Sequence, residues 1–347
     1  MGNYRHFIDI TDPSGDTKKE LKRVDTFLMR FINDRRDLPF LYFSFLMTLV
    51  VVPLAALTYI VHWPWLYAAF YLPFTLFFFM GRYILMLHNI SHRPLFKKKY
   101  RFLKNYIVWG LGPFIGETPE TYFVHHIGMH HVEENLEEDL SSTMRFRRDS
   151  FRHWLRYFVK FFFQVYYELV SYLMKKGRRK LLGRFMFGEL AYFTVIVLMM
   201  QVNVSATIIV FLLPWVFCRA AMIAGNWAQH AFIDASSPED PYSSSITAIN
   251  SRYNRVCFND GYHIGHHINA TLHWTEMPND FLNGLRQYRD KGAVIFTGLD
   301  YHMIWALLMF KKYNVLAKHF VDLELPVRSN DEIVALLKTR TQPVIQH

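Results

Sequence analysis

Ten of the seventeen histidines fall in four clusters: His88-Asn-Ile-Ser-His92, His125-His126-Ile-Gly-Met-His130-His131, Asn226-Trp-Ala-Gln-His230 and His263-Ile-Gly-His266-His267. Imidazole is the commonest side-chain metal ligand, and it binds as the neutral ring. His88 and His92, or His126 and His130, are four apart and share one face of a helix. His263 and His266, three apart, do the same. Adjacent residues such as His130-His131 and His266-His267 diverge by about 100 degrees on a helix, which suits two metals better than one. The clusters supply nine candidate ligands: His88, His92, His126, His130, His131, His230, His263, His266 and His267. His125 is left over, and it replaces His126 if the register shifts by one. A nitrogen-rich set with few carboxylates suits Zn, Cu, Fe or Ni. A thiolate site is excluded, because Cys218 and Cys257 are the only cysteines. Each ligating imidazole needs a carboxylate or carbonyl for its second N–H, and Asp139 and Asp260 are candidates. Asn226 lies one turn before His230 on the same face. His273, just past the last cluster, is a further uncertain candidate.

Each cluster lies just outside a long apolar stretch. No Asp, Glu, Lys or Arg occurs from Leu38 to Gly81 or from Leu190 to Cys218. A helix crossing a bilayer needs roughly 20 mostly apolar residues. The first stretch, interrupted at Trp63-Pro64, predicts spans at about 40–61 and 65–87. The second, interrupted at Gln201–Ser205, predicts spans at about 185–201 and 205–225. The net charge is +10, and the basic residues concentrate in the N-terminal segment, in 88–184 and in the C-terminal segment. By the positive-inside rule these three segments are cytosolic, which puts all four clusters on one side. The expected fold is all-α and integral to the membrane. Four transmembrane helices form two hairpins, and a cytosolic helical cap carries a polyhistidine dimetal site. The expected organisation is a cytosolic segment 1–37, without a signal peptide and with a helix from about Thr17 to Asn33. A membrane domain follows over 38–278, then a cytosolic helical segment over 279–347. Phe151–Met174 is aromatic but carries Arg152, Arg156 and Lys160, which suits a membrane surface. The run Lys175–Lys180 reads as an orientation signal or anionic-lipid contact rather than a nucleic-acid patch.

The combination H-x3-H, H-x3-H-H, N-x3-H and H-x2-H-H around two apolar hairpins resembles the membrane fatty acid desaturase superfamily, over about Pro39 to Pro278. Asn259-Asp-Gly-Tyr-His263 resembles that superfamily's approach to its last histidine box. Gly265, Ala270 and Asn89 depart from residues common in many members. The resemblance implies that the nine histidines hold two iron ions (Fe2+/Fe3+), with Asn226 reaching one iron through water. It implies an oxygen-dependent fatty acyl desaturase acting on a lipid- or CoA-linked chain, with O2 as co-substrate. Hydroxylases and ketolases of lipids or carotenoids share the boxes. A metal-binding protein without catalysis is a further alternative, and it would predict polar ligands along the spans. The chain shows no flavin or dinucleotide fingerprint and no haem domain. Electrons are therefore expected from an external donor of ferredoxin or cytochrome b5 type, drawn to the basic face. No nucleic-acid partner is expected. Bacterial inner membrane and endoplasmic reticulum both satisfy the charge pattern.

Overall fold

The structure is a computed structural model that describes residues 8–15 and 20–344. Most of these residues are helical. Four helices are long and apolar enough to cross a membrane: α1 (Arg35–Thr58), α2 (Pro64–His92), α5 (Arg179–Val202) and α6 (Val204–Gln229). Between them lie a helical stretch α3 (121–133) and the helix α4 (Phe151–Lys175). The membrane-length helices run past the expected spans. α2 continues to His92 and α6 to Gln229, so the first box rides on the end of a span and His230 follows the end of another. The helix expected over Thr17–Asn33 is shorter, Arg23–Leu28. Its expected start at Thr17 lies outside the described residues.

The described chain divides into two compact units that interleave in sequence. One comprises 8–15, 129–169 and 221–344; the other comprises 20–128 and 170–220. In the second unit, Ala55, Ala68, Tyr71, Tyr192, Ile196 and Ile209–Phe211 pack a common core from α1, α2, α5 and α6. The Tyr192 hydroxyl donates to the Phe211 carbonyl at 3.0 Å, so a polar group in the apolar interior is satisfied. The outward residues of these helices are apolar as well. Phe77, Leu49 and Leu66 are 84%, 75% and 74% exposed. Water would penalise so large an apolar surface, and hydrocarbon does not. Two charges within the spans are held internally. Glu189 accepts from Thr118 Oγ1 at 2.7 Å and Thr121 Oγ1 at 2.6 Å, and Arg219 approaches it at 3.4 Å.

The first unit departs from the all-α expectation. Ile246–Ile249 (β1) and Val294–Thr297 (β2) form a two-stranded parallel sheet in the register Ile246↔Val294 to Ile249↔Thr297. Both strands are rich in β-branched residues, which favour a pleated chain. Both are almost wholly buried, with Ile246, Ala248, Val294 and Phe296 in one core and Ile249 and Ile295 in another. At four residues each they are too short for alternation to reveal them. Parallel strands need a crossover, and here it carries α7 (His263–Ile268) and α8 (Met277–Asp290). The last histidine box thus sits in the crossover of a βαβ unit.

The loop entering α7 is fixed from two sides. Asp12 Oδ2 accepts from the Asn250 backbone N–H (2.7 Å), Asn254 Nδ2 (2.9 Å) and the Tyr262 hydroxyl (2.8 Å). Gly261 lies so close that a Cβ there would collide with the Ala248 carbonyl and the Asn254 amide oxygen. Arg148 clamps the other side of the unit. Its buried guanidinium donates to the carbonyls of Ala231 (3.0 Å), Thr143 (3.2 Å), Met144 (3.1 Å), Phe146 (3.1 Å) and Arg340 (3.0 Å). The methionine substitution Arg148→Met keeps the stem but strands these acceptors. We expect it to destabilise the chain by about 3 kcal/mol or more, read as a lower thermal-unfolding midpoint in detergent.

Candidate metal centre

In the first unit the structure brings four histidines together: His130 from α3, His230 just after α6, and His263 and His267 from α7. One ring nitrogen of each lies within 4.8 Å of one from every other. His263 Nε2 stands 3.2 Å from His230 Nε2 and 3.0 Å from His267 Nε2. The partner of His263 is thus the residue four later. The two share a face of the short helix α7.

The outer nitrogens explain which way the lone pairs point. His130 Nδ1 lies 2.7 Å from Asp139 Oδ2, and His230 Nδ1 lies 2.9 Å from the Ser244 carbonyl. A carboxylate and a carbonyl only accept, so both Nδ1 atoms carry the proton. In the neutral rings the Nε2 lone pairs then face inward. Asp139 is itself fixed. It accepts from the backbone N–H of Asn135 (2.9 Å), the backbone N–H of Ser141 (2.7 Å) and Ser141 Oγ (2.6 Å).

Burial keeps two of the rings neutral. It pushes the His230 pKa from 6.5 down to about 3, with His130 adding repulsion of the charged form. Burial also holds His267 well below its ordinary value, and His263 and His230 reinforce the effect. The inward lone pairs of His130 and His230, with the ring nitrogens of His263 and His267 beside them, form a cluster of nitrogen donors that a cation among them would satisfy. The donor set therefore fits a transition-metal ion.

The remaining histidines form smaller sets within each unit. In the first unit His131 Nε2 lies 2.9 Å from His266 Nε2. In the second, His92 Nε2 lies 3.0 Å from His126 Nε2, and the His88 and His126 rings are 4.6 Å apart. The structure thus separates each adjacent pair. His130 and His267 belong to the quartet, whereas His131 and His266 face each other. A turn of π-helix spans His126–His130, a feature frequent at functional sites. The residues at its two ends join different sets.

The other expected site residues are placed as follows. His126, rather than His125, faces His88 and His92, and His125 belongs to neither potential metal-binding group among the described residues. His273 Nδ1 bonds Thr275 Oγ1 at 2.8 Å, and His273 is likewise outside both groups. Asn226 turns its amide nitrogen to the Ser141 carbonyl (3.0 Å) and the Tyr157 hydroxyl (2.7 Å). It thereby supports the loop that carries Asp139. Asp260 accepts from Tyr253 at 2.8 Å and from Gln229 at 3.4 Å, steadying the residue before His230. Sequence reasoning did not find the Ser244 carbonyl or the Ser141 contacts. A backbone acceptor carries no side-chain signature, and Ser141 sits in an unremarkable Asp-Leu-Ser-Ser-Thr run.

These features define a class: a protein with four membrane-length apolar helices and histidine clusters that could bind metal. The model of the family named Fatty acid desaturase matches residues 63–298, and the chain belongs to that family. The family is generally diiron-dependent, its members are oxidoreductases, and the clusters seen here could bind metal. Neither a curated protein nor a solved structure matches the chain.

Two outcomes follow. Removing the Asp139 carboxylate with Asp139→Ala frees the His130 ring, so metal affinity should fall about 10- to 100-fold. His273→Ala should leave bound metal unchanged. Metal analysis after dialysis against a graded chelator measures both. The second concerns pH. The folded His230 pKa lies below the unfolded value, so the unfolded chain binds more protons between them. The metal-free chain should therefore be fully stabilised above pH 6.5 and lose stability as pH falls from 6.5 towards about 3. Thermal unfolding across that range checks the sign.

Proposed function

We propose that this chain is an oxygen-dependent fatty acyl desaturase that introduces a double bond into a lipid- or CoA-linked acyl chain. The observation that carries the reading is the quartet of converging, largely buried histidines, within a chain of the desaturase family. The overall reaction takes two vicinal hydrogens from a –CH2–CH2– unit. With O2, two electrons and two protons, it yields –CH=CH– and two waters.

The nine histidines of the four boxes, His88, His92, His126, His130, His131, His230, His263, His266 and His267, are the proposed ligands of two iron ions, with His130, His230, His263 and His267 grouped on one of them. Two iron ions, when bound, would supply the redox chemistry that an unactivated methylene demands, since it offers neither an acidic proton nor a leaving group. The protein's part is positional. Asp139 and the Ser244 carbonyl fix the tautomers of His130 and His230 and aim their Nε2 atoms. Asn226 and Tyr157 brace the Ser141 loop that holds Asp139. Burial holds His230 and His267 neutral, which is the ligating form.

The acyl chain would lie among the apolar helices of the 38–278 domain. The termini and the histidine boxes would face the cytosol, by the charge asymmetry of the chain. An acidic carrier of ferredoxin or cytochrome b5 type would deliver the electrons. In a host expressing the chain, fatty-acid and lipid profiling should reveal new unsaturation, abolished by His263→Ala. A hydroxylated or keto product instead of an alkene would overturn the desaturase reading in favour of a related oxygenation.

A further inference from the structure

The basic run Lys175–Lys180 is divided by a turn. The N–H of Gly177 bonds the Met174 carbonyl at 3.0 Å, and that of Arg178 bonds the Leu173 carbonyl at 2.8 Å. Gly177 takes a φ of +67°, which closes α4 in a left-handed cap that favours glycine. Arg178, Arg179 and Lys180 then open α5. Together with Arg184, one turn further on, they line a cavity of about 700 Å³ that is partly open to solvent. Lys104, distant in sequence, enters the same cavity. Ser91 and Ile127, neighbours of His92 and His126, form part of its wall, and all of the lining belongs to the second unit.

Five cationic side chains therefore converge on one concavity. Of these, Arg184 is paired with a carboxylate, its Nε lying 2.8 Å from Glu120 Oε2. Among the described residues, no ion pair engages Lys104, Arg178, Arg179 or Lys180. Glu120 is further committed to Trp109 Nε1 at 3.1 Å. Arg178 is held in place by the Gly128 carbonyl and lies over the Tyr172 ring at 5.8 Å. The Lys104 ammonium sits 3.6 Å from the centre of the Phe123 ring. Burial lowers its pKa, with Arg184 and Arg101 adding to the shift and Glu120 opposing it, which marks it as partly desolvated.

A solvated basic face would spread its charges into water. Here they come from separate chain segments and line a volume of small-molecule size, with Glu120, among the described residues, the one carboxylate bonded to a lining cation and so offsetting only part of five positive charges. The N-terminus of α5 adds its positive dipole end on the same side. A phosphate ester matches this chemistry: several oxygens for several donors, and arginine forks suited to them.

We propose that this cavity is a phosphate-binding subsite that takes the phosphate-bearing end of the acyl carrier. The identity of the ligand as an acyl carrier rests on the desaturase reading; the binding of phosphate does not. The carrier is either a phospholipid, with the phosphate in its headgroup, or coenzyme A. Both present the same group at the polar end of α5, where a bilayer's headgroups would lie.

Isothermal titration of the purified full chain in neutral detergent, with coenzyme A and separately with dioctanoyl phosphatidylglycerol, tests this. Saturable binding of either probe is expected, and the probe that binds identifies the carrier type. Arg179 and Lys180 are exposed at the cavity rim. The double variant Arg179→Gln/Lys180→Gln should weaken binding at least tenfold without loss of bound iron. Lys98→Gln/Lys99→Gln removes equal charge from exposed residues outside the cavity and should change binding less than twofold. Binding of neither probe, or equal weakening by the two double variants, would overturn the subsite. A chain that forms double bonds yet binds neither probe overturns the subsite alone. A chain that binds a probe but forms no double bond overturns the desaturase reading alone.

Discussion

The central constraint is the convergence of imidazole nitrogens at a place where burial disfavours the charged ring. His230 and His263 meet Nε2 to Nε2 at 3.2 Å, and His263 and His267 at 3.0 Å. Protonating these rings would bury charge, and burial pushes the His230 and His267 pKa values down. A metal cation at their centre would give the inward lone pairs of His130 and His230 a partner without adding a proton to either ring. Much of the first unit is the framework that holds these rings in this convergence.

That framework works at several distances from the rings. Asp139 and the Ser244 carbonyl fix two tautomers directly. Behind them, Ser141, Tyr157 and Asn226 close a polar network in which each group has a partner. Further out, the βαβ crossover sets the position of α7, while Asp12 and Gly261 fix the loop that enters it. Arg148 ties the loop following Asp139 to the Ala231 carbonyl, next to His230. A loose framework would let the rings rotate outward and hydrate individually, and the convergence would be lost.

Much of this was legible in the sequence. The four apolar helices announce themselves by the absence of charge over Leu38–Gly81 and Leu190–Cys218. The histidine spacings pointed to helices and to adjacent residues serving different sets. What spacing could not give was membership. His263 is three residues from His266 and four from His267, and only the fold shows that His267 is its quartet neighbour. The π turn at His126–His130 is equally invisible, since it depends on packing rather than local propensity. The two strands escaped because four buried residues carry no period. Lys104 gave no hint of joining Arg178–Lys180, because that encounter is tertiary.

Iron K-edge X-ray absorption on the purified, iron-loaded chain tests the metal centre most directly. The predicted spectrum is dominated by imidazole nitrogen, with the outer-ring scattering of several histidines and no sulfur shell. It should lose histidine scattering in His230→Ala. A spectrum dominated by carboxylate or solvent oxygen, unchanged in that variant, would contradict the assignment of the buried quartet as the metal site.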